Sequence, residues 1–313
     1  MSRPEVGSPL GVAVIGMHRS GTSAVTRVVN LVGVPLCNPR YLGGPSQANP
    51  TGHWENRALT PVNEAILNRL GGFWSAPPPL PPGWERDDRL TPLRGNAVAT
   101  FHRTMPARQW LWKDPRLCLT LPFWRRSLPE PIFSVLVLRH PLEIADSLFA
   151  RSRLSRPLAL ALWERYMRTA LENLQGLPVL AVQYSDFVRD PMAWAATLSQ
   201  ELAAAGLMIP EPPPTQEIAT FVDPGLWRAR QKDALGDEAT ASPSQVALSE
   251  VLGQLAGFTP GFSPPSLPEP TPWAEWLLEE RRASFPLREE LGKLRRRSIT
   301  QWMRRARQRA RRR

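Results

Sequence analysis

The chain has 313 residues, 42% of them hydrophobic, 8% aromatic and 21% charged, which is length enough to bury a sizeable core in one large or two modest domains. Its 39 Lys and Arg against 28 Asp and Glu give a net charge of +11, but residues 281–313 alone hold 14 of the basic and 2 of the acidic side chains. The other 280 residues carry 25 basic and 26 acidic groups, so the excess charge belongs to a tail, and nucleic-acid binding by the body loses its main support.

The polar, Pro/Gly-bearing first ten residues carry no secretory signal pattern, and no apolar run is long enough to cross a membrane. Cys37 and Cys118 are far apart with no second pair, which suggests neither a disulfide framework nor a zinc site. A cytoplasmic location is the default expectation.

Val12 to Ile15 is an uninterrupted apolar run, the mark of a strand buried on both faces, and it leads into a polar loop bracketed by Gly16 and Gly21. From Ser20 onward the pattern turns helical, with Val25, Val28, Val29 and Val32 on one stripe. Strand, glycine loop and helix make a phosphate cradle, because successive backbone N–H groups and a helix N-terminus converge on an anion. Gly16 to Ser23 fits the nucleotide P-loop Gly-x4-Gly-Lys-Ser/Thr except that Thr22 stands where the lysine belongs, and the cation has moved to Arg19. Such a loop keeps the anion nest but is poorly equipped for a β/γ-phosphate pair with magnesium.

With its Arg19-Ser20-Gly21-Thr22-Ser23 spelling, the loop resembles the 5′-phosphosulfate loop of sulfotransferases, where a Lys or Arg precedes Ser-Gly-Thr. The resemblance implies an α/β three-layer sandwich with a mostly parallel central sheet, of the P-loop nucleotide-hydrolase type. It also implies 3′-phosphoadenylyl sulfate (PAPS) as sulfuryl donor, held by Arg19, Ser20, Gly21, Thr22 and Ser23, with no metal. Later motifs test this.

The loop-rich segment after the first helix ends in Thr51-Gly-His-Trp-Glu-Asn56, ahead of a helical pattern from Leu59 to Leu70. Glu55 has two readings. It complements the positive end of the following helix, or, if the family resemblance holds, it is the general base that deprotonates the acceptor. His53 and Asp114 are its rivals. Residues 71–86 are too proline-rich for a helix or central strand, and form either a stiff wall of an acceptor pocket, through Phe73, Trp74 and Trp84, or a surface connector.

A helix is expected from Asp88 to Met105 and a short strand from Gln109 to Trp112, ending in Lys113-Asp-Pro-Arg116. That triplet resembles the Lys-Asp-Pro of tyrosylprotein-type and related bacterial sulfotransferases, which implies that Lys113 approaches the transferred group. The next strand, Ile132 to Leu138, runs into Arg139-His-Pro-Leu-Glu-Ile-Ala-Asp-Ser147. Pro141 suits a first helical position, and Ser147 falls one turn beyond Glu143 on the same face. This Arg-x7-Ser spacing resembles the family's 3′-phosphate motif, which implies that Arg139 and Ser147 close on one phosphate.

A helix from Pro157 to Leu174 and a strand from Val179 to Val182 lead to Tyr184-Ser-Asp-Phe-Val-Arg-Asp-Pro191. This is similar to the family's Tyr-Glu-Asp-Leu…Asp-Pro signature and implies Tyr184 beside the adenine. Met192 to Ala205 closes the pattern, Phe221 to Arg230 reads as a lid with Arg228 and Arg230, and Ser242 to Leu255 as a last helix.

The proline-rich stretch 257–272 reads as a linker between a catalytic domain over 1–256 and a basic, partly helical tail over 273–313. That tail reads first as a solvated, frayed end; an anionic membrane surface is the sharper alternative, ahead of RNA, because aromatic and basic residues are not interleaved throughout. The expected activity is sulfuryl transfer from PAPS to a hydroxyl or amine, with release of PAP. A P-loop kinase and a non-catalytic binding protein are the alternatives. The acceptor, whether carbohydrate, lipid, peptide or small molecule, has no readable signature.

Overall fold

The computed structural model describes residues 10–45, 51–210, 215–223, 225 and 234–284. Its centre is a sheet in the order β2-β1-β3-β4-β5, formed by β1 (Leu10–Ile15), β2 (Gln109–Lys113), β3 (Ile132–Leu138), β4 (Val179–Gln183) and β5 (Gly257–Thr259). The first four strands are parallel, and β5 lies antiparallel to β4. Parallel strands buried on both faces need continuous apolar runs, which is what β1 and β3 supply; every residue of β3 is buried.

Alternation along the strands sorts side chains into two layers. Val12 and Val14 of β1, Leu111 of β2 and Phe133, Val135 and Val137 of β3 face α1 (Thr22–Leu31), which packs there through Val25, Val28 and Val29. Each such fully buried apolar side chain contributes about 1.5–3 kcal/mol. Ala13, Ile15, Trp110, Trp112 and Leu136 take the opposite face. They meet α2 (Thr60–Arg69), α3 (Thr91–Thr104), α4 (Leu117–Ser127), α5 (Pro141–Ser152) and α6 (Arg156–Asn173). The expected three-layer α/β sandwich is therefore present. Gly11 permits one of its closest contacts, since a Cβ there would lie 1.9 Å from the Trp110 ring.

Pro122 interrupts α4 and deprives the Cys118 carbonyl of its helical donor. The side-chain amide of Asn173, from the end of α6, donates to that carbonyl at 2.9 Å instead. Both thiols are buried, Cys37 pushed up to about 11 and Cys118 to about 12 by desolvation, so neither is nucleophilic at neutral pH.

After β4 the chain forms α7 (Tyr184–Arg189), α8 (Pro191–Ala204), α9 (Thr215–Phe221) and α10 (Pro243–Gly253), the last opened by a Ser242/Gln245 capping box. The expected linker at 257–272 is not a linker. Gly257–Thr259 joins the sheet, Phe258 stacks on Phe133 at 5.5 Å, and Phe262 and Thr271 are buried. The physical reason is the buried carboxylate of Glu164 in α6. It accepts from Arg168, from the Gln245 side chain and from the Thr271 backbone N–H, at 3.0, 3.1 and 2.9 Å.

The chain is helical again over 272–284, with Ala274 and Leu278 buried on the body. This helix grips the proline-rich loop, Arg281 donating to the Ser75 hydroxyl and Arg282 to the Pro77 carbonyl. The rest of the expected tail, 285–313, lies outside the described residues, as do Arg228 and Arg230 of the expected lid.

Candidate active site

Strand order reverses between β1 and β3, and a crevice opens there beyond the carboxyl ends of the strands. Three expected site cations fall at those strand ends. Arg19 lies in the loop after β1, Lys113 is the last residue of β2, and Arg139 follows β3.

The loop after β1 turns sharply. Ser20 N–H donates to the Met17 carbonyl at 3.1 Å, and Arg19 and Gly21 both adopt positive φ, 72° and 92°. Gly21 is required twice over, by that conformation and because a Cβ would lie 2.2 Å from the Tyr184 ring. No side chain caps α1, so its first-turn N–H groups face the loop without a side-chain acceptor. The Ser20 hydroxyl is buried with no hydrogen-bond partner among the described residues.

Lys113 is 3% exposed and its ammonium has three acceptors: the Glu55 carboxylate at 2.7 Å, the His53 carbonyl at 3.1 Å and the Ser23 hydroxyl at 3.2 Å. Strand alternation places Lys113 on the α1 side with Leu111, within reach of Ser23 in the first turn of α1. Glu55 is delivered by a pinned turn. Gly43 N–H donates to the Glu55 carbonyl at 2.7 Å, and the Asn56 amide donates to Thr104 at 2.8 Å.

Between them Trp54 takes φ 56°, a left-handed conformation that bulky residues avoid and that tends to mark functional turns. Its indole N–H is buried and unpartnered among the described residues, Arg27 stacks on the ring, and Phe221 meets it edge-on at 6.4 Å. Burial pushes the Glu55 carboxyl up, but the Lys113 charge and hydrogen bond outweigh it and hold the group below the ordinary carboxylate range.

Arg139 and Ser147 flank Arg19. Arg19 Nε donates to Ser147 Oγ at 2.8 Å, and Arg139 Nη1 donates to the Arg19 carbonyl at 2.9 Å. Arg139 also pairs with Glu143 at 2.7 Å and lies over the Tyr184 ring at 4.8 Å. A cavity of about 230 Å³ is lined by Ser20, Arg139, Glu143, Trp163, Tyr184 and Leu252 among others. Burial and the neighbouring charges of Arg151 and Arg139 press Arg19 below its ordinary value, a strain that a bound anion would relieve.

Of the rival bases, Asp114 is fully buried and committed to the Asn63 amide at 3.0 Å, the Arg116 backbone N–H at 2.9 Å and the Arg116 guanidinium at 3.0 Å. Desolvation pushes its carboxyl up, and its geometry is that of a buttress. His53 stands at the site, with burial lowering its imidazole and Lys113 and Arg151 adding to the shift against the opposing Glu55 charge.

Several residues at the site escape single-motif reading. His18 is buried, its ring 4.6 Å from Trp74 and 5.6 Å from Tyr166, and held neutral by burial and by surrounding cations. Arg116 pairs with Glu64 at 2.6 Å, Glu64 accepts from the Trp74 backbone, and the Trp74 carbonyl accepts from Tyr166. Trp74 reaches the phosphate loop through its contact with His18, and Phe73 and Trp84 are buried. The signal for Arg116 was its place beside Lys113 in the motif; nothing local announces the His18–Trp74 contact.

The model of the sulfotransferase family matches residues 9–205. The chain belongs to that family. No curated relative matches it. Among solved structures, the sulfotransferase domain of the Synechococcus olefin synthase is similar at 17% identity and TM-score 0.39, over 90% of this chain and 98% of that one. A Mycobacterium tuberculosis sulfotransferase is similar at 14% identity and TM-score 0.45, over 69% of this chain and 72% of its own. The sulfotransferase domain of the curacin biosynthetic pathway is similar at 13% identity and TM-score 0.36, over 88% and 98%.

Proposed function

We propose that the protein transfers a sulfuryl group from PAPS to a hydroxyl or amine of its acceptor and releases PAP. The observation that carries this reading is the buried Lys113–Glu55 pair beside an uncapped, glycine-bracketed loop at the switch point of the sheet. The donor fits the residues present. The loop would receive its 5′ end through backbone N–H groups of residues 20–23 and the unpartnered Ser20 hydroxyl, and Arg139 and Ser147 its 3′-phosphate. Tyr184, which packs on Gly21, would lie by the adenine.

PAPS supplies an activated sulfuryl group. Glu55, ionised at neutral pH, takes the proton that the acceptor must lose. Lys113 and Arg19 place positive charge where the transferred group and bridging oxygen carry negative charge, a term worth about 3 kcal/mol for one such donor. The site lies in a body without a helix long and apolar enough to cross a membrane among its described residues. We assign the protein to the cytoplasm, with the Arg-rich segment 285–313 holding it to anionic membrane surfaces.

The test is calorimetric titration with PAP beside ATP, ADP and AMP in EDTA. PAP is expected to bind tightly and Arg139→Ala to weaken it at least tenfold. Binding of ATP with magnesium in place of PAP overturns the reading in favour of a kinase.

A further inference from the structure

The helix over 272–284 lies beyond residue 205, where the family match ends, yet its side chains reach back to one turn of the proline-rich loop. Phe73 and Ala76 exchange both backbone hydrogen bonds, at 3.1 and 3.0 Å, so Trp74 and Ser75 form the tip of a two-residue turn. Arg281 donates to the buried Ser75 hydroxyl through Nη2 at 3.2 Å and Nε at 3.4 Å, and Arg282 donates to the Pro77 carbonyl. The helix is itself anchored to α6, because Glu275 accepts from both Arg165 and Arg282.

The tip is also held from the body. The Trp74 N–H donates to Glu64 at 3.3 Å, and the Trp74 carbonyl accepts from Tyr166 of α6 at 2.6 Å. This frame sets the Trp74 indole 4.6 Å from the His18 imidazole, which Tyr166 meets edge-on at 5.6 Å. His18 is the neighbour of Arg19, whose φ of 72° is a left-handed conformation that a residue other than glycine keeps only when its surroundings impose it. The shape of the phosphate loop therefore depends on what fixes His18.

We propose that Arg281 is a positioning residue of the donor site: with Arg282 it holds the 73–76 turn so that Trp74 stays on His18 and the phosphate loop keeps its anion-binding shape. A guanidinium suits this task because its N–H groups form a rigid planar fork. A simpler account has the two arginines only fasten the helix to the body. It predicts a lower thermal midpoint and no change in affinity wherever the chain is folded.

This role rests on the proposed reading of the loop as the PAPS site, and PAP binding to the unaltered protein controls that reading separately. Two readouts are taken on the full chain, below the thermal midpoint of every variant. One is calorimetric PAP affinity, and the other is carbethoxylation of His18 by diethylpyrocarbonate, located by peptide mass spectrometry. His18 Nε2 is buried without a hydrogen-bond partner among the described residues. Burial and the charges of Arg116 and Lys113 keep the ring in its neutral, reactive form, so protection of His18 in the unaltered protein measures enclosure, with exposed His102 as internal reference.

Arg281→Ala is expected to weaken PAP at least about fivefold and to open His18 to the reagent, and Arg281→Lys to restore part of both. Ser75→Ala removes the acceptor and leaves every cation in place. It should move both readouts the same way, and it carries the test if Arg281→Ala does not fold. In a Trp74→Ala background, Arg281→Ala should weaken PAP by less than about twofold, because the link through which it acts is already gone. His18 still protected in both variants, PAP affinity within about twofold of the unaltered protein in both, or an undiminished loss in the Trp74→Ala background overturns the proposal. If PAP fails to bind the unaltered protein while His18 opens in Arg281→Ala, the PAPS reading falls and the positioning of the loop stands.

Discussion

At the scale of residues the site turns on one ion pair in which burial and charge oppose each other. Desolvation alone would raise Glu55, and Lys113 at 2.7 Å reverses that. Because the folded-state value is depressed, the stability the pair contributes is present above the unfolded pKa and disappears as pH falls through the folded one. Lys113→Met removes the larger opposing influence and leaves desolvation. The Glu55 carboxyl should then titrate above the ordinary carboxylate range, which carboxyl-carbon NMR with Glu55→Gln as the assignment control will show. Glu55→Gln itself should abolish transfer while changing PAP affinity less than about twofold, since the amide keeps the shape and loses the basic oxygen. Arg19, Lys113 and Arg139 were legible because each stands at the end of an apolar run that reads as a strand and within a motif that resembles one of the family's. The His18–Trp74 contact was not, because it depends on how a proline-rich loop folds back across the sheet.

At the scale of elements, the connections that matter are made by backbone conformation and by buried carboxylates. Gly21→Ala must hold an L side chain at φ 92° against the Tyr184 ring. It should cost at least about 1–2 kcal/mol in denaturant unfolding and lower PAP affinity with it. Glu164 ties α6 to α10 and to the chain at Thr271, so Glu164→Ala leaves Arg168 and two other donors facing a buried gap. The expected loss is about 3 kcal/mol, read from the urea midpoint. The proline count at 257–272 was read as a sign of separation. Proline does preclude regular hydrogen bonding, but it leaves carbonyls free to accept, and Arg168 uses those of Pro268 and Glu269. Composition could not show this, since the partners lie 100 and 101 residues away.

At the scale of the whole molecule, the strands and helices followed from the apolar pattern, and the layered, mostly parallel sheet followed from the family resemblance. The end of the body did not. A chain stopped at residue 256 loses β5 and uncovers the sites of Phe262, Ala274 and Leu278, and should aggregate or melt well below the full chain. A chain stopped at residue 284 keeps all three, and its thermal midpoint should match the full chain while its retention on anionic vesicles is lost. One further consequence comes from the burial of Lys113. The sequence contains three lysines, Lys113, Lys232 and Lys293, and the first has its amine enclosed by Glu55, His53 and Ser23. An amine-reactive dye or resin added at mild pH should therefore spare Lys113 in the native fold. Labelling at Lys113 then becomes a chemical clock for opening of the crevice.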